Sequence, residues 1–131
     1  MRELVAEWVS LPVEVQRVVE IALERKAQDI TVLDLRGIST ATDYFVIASG
    51  TSDVQVKAIA EHVMEELEAE GLGTGVAEGL TGGRWVLLDY IDFVVHVFHP
   101  QARAFYQLEN LWGDAPRWDR REEDEAAAGA G

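Results

Sequence analysis

Between Gly83 and Pro100 the chain reads GRWVLLDYIDFVVHVFHP, two runs of β-forming residues with almost nothing between them. Two such runs in direct succession form a β-hairpin. Along Arg84 to Tyr90, side chains alternate between faces. Arg84, Val86, Leu88 and Tyr90 share one face, and Trp85, Leu87 and Asp89 share the other. Both faces carry large apolar groups. Such a strand is either covered on both sides by helices or left with an apolar face that needs a partner. The rest of the chain must supply one or the other.

Ser10 and Pro12 mark a helix start, and Val15, Val18, Val19 and Ala22 then recur on one helical face as far as about Ala27. Leu4, Val5 and Trp8 form a further amphipathic turn upstream. Ile30 to Arg36 is a strand stopped by Gly37, and Tyr44 to Ala48 is a short strand of the doubly buried kind. A second helix follows SGTSD. Thr51 or Ser52 caps it, Asp53 suits its positive end, and Val56, Ile59, Ala60, Val63 and Leu67 form its stripe until Gly71. Gly73 to Glu78 is a weaker strand before the hairpin. His99 and Pro100 open a last helix with Phe105, Leu108 and Trp112 on one face, ended by Gly113, Asp114 and Pro116. From about Trp118 the chain is charged and then small, the composition of a disordered acidic tail.

The expected architecture is therefore α/β, a mixed and roughly five-stranded sheet flanked by helices. Residues 12–117 form the domain, 1–11 an N-terminal extension and 118–131 the tail. A chain of 131 residues, 48% hydrophobic, suits one domain with a modest core. Three helices are few for both faces of such a sheet.

Composition removes several function classes. Cysteine is absent, so disulfides and thiolate metal sites are excluded. No apolar run is long enough to span a membrane, and the charged N-terminus does not look like a secretory signal. The cytoplasm is the expected compartment. A formal net charge of -13 repels phosphate backbones and favours a basic protein partner over direct nucleic-acid binding.

Candidate chemistry is sparse. His96 and His99 lie three apart at a strand end and point to opposite faces, and His62 sits on a helix away from both. They do not make a metal site. Asp89 and Asp92 flank a tight turn, and Asp34 and Asp43 lie at strand ends, where aspartate commonly closes local hydrogen bonds. Ser49 to Ser52 stands between a strand and a helix, where backbone donors can hold a phosphate. Nucleotidyltransferases use such a turn, but they also need a strand with two metal-binding carboxylates, which is missing here. The chain also lacks a phosphate-binding Gly-x-x-x-x-Gly-Lys loop and a Gly-x-Ser-x-Gly elbow. No cofactor is implied.

Four ordered segments carry a family likeness: QDITVLDLRG, TDYFVIASGTSDVQVKAIAEHV, GRWVLLDYIDFVVHVFHP and FYQLENLWGDAP, spanning roughly residues 12 to 117. With these segments the chain resembles the ribosomal silencing factor family, also called the RsfS or Iojap family. One departure is Ile91, where the family's DYGD pattern usually has glycine. Isoleucine does not readily supply positive φ, so an altered turn is expected.

The resemblance implies a nucleotidyltransferase-like fold without its catalytic acids, and a protein that is not an enzyme. It implies binding to the fourteenth protein of the large ribosomal subunit, on the face that meets the small subunit. That contact would block subunit joining and repress translation when nutrients are scarce. The family is also linked to late assembly of the large subunit. The expected partner-binding residues are Trp85, Leu87, Asp89, Tyr90 and His96. Trp85 and Tyr90 would act as amphipathic anchors and Asp89 as the ion-pair partner of a lysine or arginine. Trp85 and Tyr90 alternate in face, so they reach one partner only near a strand end or across an edge. In isolation the same face is expected to form a homodimer.

Overall fold

The structure, a computed structural model, describes residues 6–120. Helix α1 (Val13–Glu24) follows Pro12 and buries Val15, Val18, Val19, Ile21 and Ala22. It stops three residues short of Ala27, where Lys26 turns to a φ of 61°. Strands β1 (Gln28–Asp34) and β2 (Tyr44–Ser49) pair antiparallel. Ser52 caps α2 (Asp53–Ala69) by accepting the Gln55 N–H, and Val56, Ile59, Ala60, Val63 and Leu67 form its buried stripe. Gly71, at a φ of 71°, receives the helix end as a residue without a Cβ does most easily.

Strand β3 (Val76–Glu78) is shorter than the expected run from Gly73. Strands β4 (Trp85–Asp89) and β5 (Phe93–Phe98) form the hairpin. β5 then lies parallel to β2, so α2, β3 and β4 make up the crossover between these two strands. The closing segments are α3 (Pro100–Tyr106), α4 (Leu108–Leu111) and β6 (Arg117–Asp119). The sheet order is β3-β4-β5-β2-β1-β6, mixed and six-stranded.

The expected α/β sheet is present, with one strand more than the count of about five. The sixth, Arg117–Asp119, lies across the expected end of the domain and the start of the expected tail, and pairs with Leu33, Val32 and Thr31 of β1. The Thr31 hydroxyl donates to Asp119 at 2.6 Å, and the Trp118 ring lies 4.8 Å from that of Trp8. The N-terminal residues join in. The Ala6 N–H donates to the Arg117 carbonyl, and Leu11 is buried in the main core. Three residues surrounded by charge carry little strand signal, and a long-range pairing along the open edge of β1 decides the matter. The rest of the acidic stretch, 121–131, and the Leu4–Val5 part of the expected N-terminal turn lie outside the described residues.

The last helix is also two pieces. Gln107 adopts a left-handed conformation with a φ of 48°, which ends α3 and restarts the chain as α4. Leu108 is buried and Trp112 partly so, but Phe105 is 80% exposed instead of sharing their face, because the break resets the helical phase. The turn at Ile91 differs from expectation in the opposite sense. Isoleucine there does adopt positive φ, at 73°.

Both long helices pack on one face of the sheet. Val32, Val46, Val86, Leu88, Val95 and Val97 form a layer that is almost completely buried beneath α1 and α2. Arg17 of α1 clamps Glu70, just past α2, with paired hydrogen bonds of 2.8 Å.

Trp118→Ala tests whether β6 belongs to the cooperative fold. Loss of a half-buried tryptophan should lower the unfolding free energy by roughly 2 kcal/mol in urea titration. A variant as stable as the parent would show that β6 contributes nothing.

Candidate functional site

Residues paired across neighbouring strands share a face, so the register defines the face that α1 and α2 do not cover. Leu33 pairs Phe45, Phe45 pairs Val94, and Ile47 pairs His96. In the hairpin, Trp85 pairs Phe98, Leu87 pairs His96 and Asp89 pairs Val94. Helices α3 and α4 cover part of this face. They bury Leu33, Ile47 and Phe98 with Ala102, Leu108 and Ala115. Phe45, Trp85, Leu87 and Val94 are left half-buried and Asp89 exposed.

Trp85 and His96 are a built pair at the centre of this face. The Trp85 Nε1–H donates to His96 Nδ1 at 3.0 Å. The Trp85 ring stacks on Phe98 at 4.9 Å and meets Tyr106 at 4.7 Å, while the Phe45 ring stands edge-on to His96 at 4.5 Å. Only 3% of His96 is exposed, and burial pushes its pKa down to about 4. It is therefore neutral near pH 7. Because Nδ1 accepts, the proton resides on Nε2, which is buried without a hydrogen-bond partner. The hydrogen bond and the ring stack together fix the indole in one orientation at the edge of the open surface.

Asp89 reaches solvent beside Leu87. Its Oδ1 accepts the Ile91 N–H at 2.8 Å. Tyr90 is placed elsewhere. It sits on the opposite face, buried under α2's end, with its ring stacked 4.8 Å from Phe93. A Cβ at Gly75 would lie 2.6 Å from its Cζ, so glycine is required there to admit the ring. Burial, with the Glu68 charge adding to it, pushes the phenol up to about 12. The structure thus brings together Trp85, Leu87, Asp89 and His96, and separates Tyr90 from them.

The other candidates have local duties. His62 bonds Glu24 at 2.8 Å, and His99 caps α3 by accepting the Gln101 N–H. Among the described residues no cluster of three His, Asp or Glu side chains is arranged for a metal. Asp34 is tied to Arg36, whose guanidinium holds its carboxyl below the usual carboxylate range against the opposing effect of burial.

Several polar groups of the Ser49–Ser52 turn are bonded within the protein. The Gly50 N–H donates to the Phe98 carbonyl and the Thr51 N–H to Gln55 Oε1, and Ser49 Oγ accepts from Arg103. Arg103, itself paired with Glu109 at 2.8 Å, also donates to the Asp29 carbonyl. Neither Gln55 nor Arg103 stood out in the sequence. Gln55 also donates to the Arg25 and Lys26 carbonyls, so both residues reach partners distant along the chain.

The family model described as "Ribosomal silencing factor during starvation" matches residues 9–130. The chain belongs to the ribosomal silencing factor family. It is similar to the ribosomal silencing factor RsfS of Bacillus subtilis, 48% identical over 96 residues that cover 73% of this chain and 81% of that protein. Its fold matches a crystal structure from Bacillus halodurans with a TM-score of 0.70 and 39% identity, covering 79% of this chain and 94% of that one. A more distant relative in mouse is named "Mitochondrial assembly of ribosomal large subunit protein 1"; it is 28% identical over 110 residues, 82% of this chain and 48% of that protein. The silencing-factor fold seen here has no helix, among the described residues, long and apolar enough to cross a membrane.

The low pKa of His96 gives a pH signature. The unfolded histidine takes up its proton near 6.5, the folded one only near 4. Unfolding therefore binds a proton in this window, and stability falls as pH drops from 6.5 towards 4, by up to about 3 kcal/mol. His96→Gln should flatten the difference between urea midpoints at pH 7 and pH 4.5 relative to the parent. Equal pH dependence in both proteins would show that His96 is not protected.

Proposed function

We propose that the half-covered face docks on the fourteenth protein of the large ribosomal subunit, on the side that meets the small subunit. Its occupancy sterically prevents subunit joining and so represses translation. The observation that carries this reading is the clustering of Trp85, Leu87 and Asp89 on the one sheet face that the helices leave open. An indole held in place, an aliphatic neighbour and an exposed carboxylate form the usual elements of a docking site: an anchor, its apolar surround and an ion-pairing rim.

Family membership supports a ribosomal role, and the name of the mouse relative points to the large subunit. Charge supports a basic protein as the contact. At -13 the chain is repelled by exposed rRNA and steered to cationic protein surface. Blocking needs no chemistry. A specific interface of about 800 Å² per partner is within reach of a domain this size, and its bulk then occupies space the other subunit needs. The same face pairs two copies into a homodimer when no ribosome is present, in competition with docking.

An enzyme of nucleotidyltransferase type is the second reading. The Ser49–Ser52 turn weighs against it, since the Gly50 and Thr51 N–H groups, two of the donors that could cradle a phosphate, already have acceptors within the protein.

Purified ribosomal subunits mixed with saturating protein should show a reduced fraction of joined ribosomes on a sucrose gradient. Asp89→Asn removes the charge but keeps an oxygen for the Ile91 amide, so it should weaken large-subunit binding about tenfold without loss of fold. Joining that proceeds normally at saturation rules the mechanism out. Trp85→Ala is expected to weaken binding too, though it also strips His96 of its donor.

A further inference from the structure

Ile91 stands at the tip of the β4–β5 hairpin with a φ of 73°. The Asp92 N–H donates back to the Tyr90 carbonyl at 2.9 Å, which closes a three-residue γ-turn around a positive-φ centre. This is the rare and strained form of that turn. A β-branched side chain suits it badly, because its Cβ crowds the adjoining carbonyl.

The surrounding bonds hold the conformation in place. Asp89 Oδ1 accepts the Ile91 N–H at 2.8 Å, the Thr42 hydroxyl donates to the Ile91 carbonyl at 2.9 Å, and the Tyr90 N–H reaches the Phe93 carbonyl at 3.0 Å. The side chain gains little inside the protein, since 79% of the residue is exposed. The fold's own stability accounts for neither the strain nor the exposed isoleucine.

The position of the tip suggests what does. Asp89 and Val94 are the last hairpin pair before the turn, and Val76, opposite Asp89 on β3, is also exposed. Leu87, Val94 and Val76 thus continue the open face to its end, where Ile91 stands exposed at the adjoining tip, edged by the exposed carboxylates of Glu78, Asp89 and Asp92. Asp89 links the two roles, since one of its oxygens fixes the Ile91 backbone while its charge faces solvent.

We propose that Ile91 is an apolar anchor for the basic protein surface on which the open face docks, inserted beside the cation that Asp89 pairs. This rests on the docking reading above. A cationic protein is the occupant that the surrounding charge favours. The homodimer contact proposed above leaves this tip out, because a second copy here would oppose its own carboxylates to those of the first, and a nucleic acid would oppose its phosphates.

Ile91→Gly and Ile91→Asn both suit positive φ while removing the apolar group. Binding is measured against isolated Bacillus subtilis large ribosomal subunits, with Asp89→Asn alongside. Ile91→Gly should raise the melting temperature by about 3 °C, and both variants should bind about tenfold more weakly. Gain in stability with loss of binding is the expected signature. A variant that loses stability and binding together marks Ile91 as structural and overturns the proposal. Parental binding by either variant overturns it as well. If Asp89→Asn loses affinity in that case, the docking reading survives. Loss of self-association with subunit binding intact would assign the tip to a second copy, and also overturns the proposal. If the parent itself does not bind the subunits, both readings fall.

Discussion

The molecule depends on a one-sided burial. The valine-rich layer of Val32, Val46, Val86, Val95 and Val97 is sealed by α1 and α2 together. At roughly 25 cal/mol per Å² of apolar surface removed from water, this layer dominates the favourable side of folding. Once both long helices lie there, only the short segments α3 and α4 remain for the opposite face. The incomplete cover that marks the candidate site follows from how the core is built.

Within the open face, rigidity comes from a polar pair in an aromatic frame. A tryptophan at a protein surface is costly to immobilise on binding, unless its orientation is already set. The hydrogen bond to His96 and the stack on Phe98 set it in advance. His96 can accept because burial keeps it neutral. The histidine, which in a sequence suggests metal binding or acid–base work, serves here as a positioning group. The arrangement holds the indole in one orientation before any contact is made.

The acidic surface has a separate role. Carboxylates dominate the outer sides of α1 and α2 as well as the hairpin rim, so the field extends well beyond the open face. A field of that kind affects encounter rate and choice of partner more than affinity.

Strong local signals were legible in the sequence. The hairpin, the stripe of α2 with its Ser52 cap and Gly71 end, and the α1 face all follow from periodicity and capping, which depend on neighbours a few residues away. Alternation likewise placed Trp85, Leu87 and Asp89 together and Tyr90 apart. The sequence alone does not reveal β6, because three residues pair only when β1's edge is presented to them. The break at Gln107 and the positive φ of Ile91 are equally invisible, since neither residue type favours that conformation, and at Ile91 a bond from the distant Thr42 helps to hold it. The sequence by itself thus determined which elements form and which residues share a face, since those are short-range properties. Which face the helices cover, and so which one remains open to a partner, was decided only by the tertiary structure, because burial is settled by competition among segments far apart in the chain.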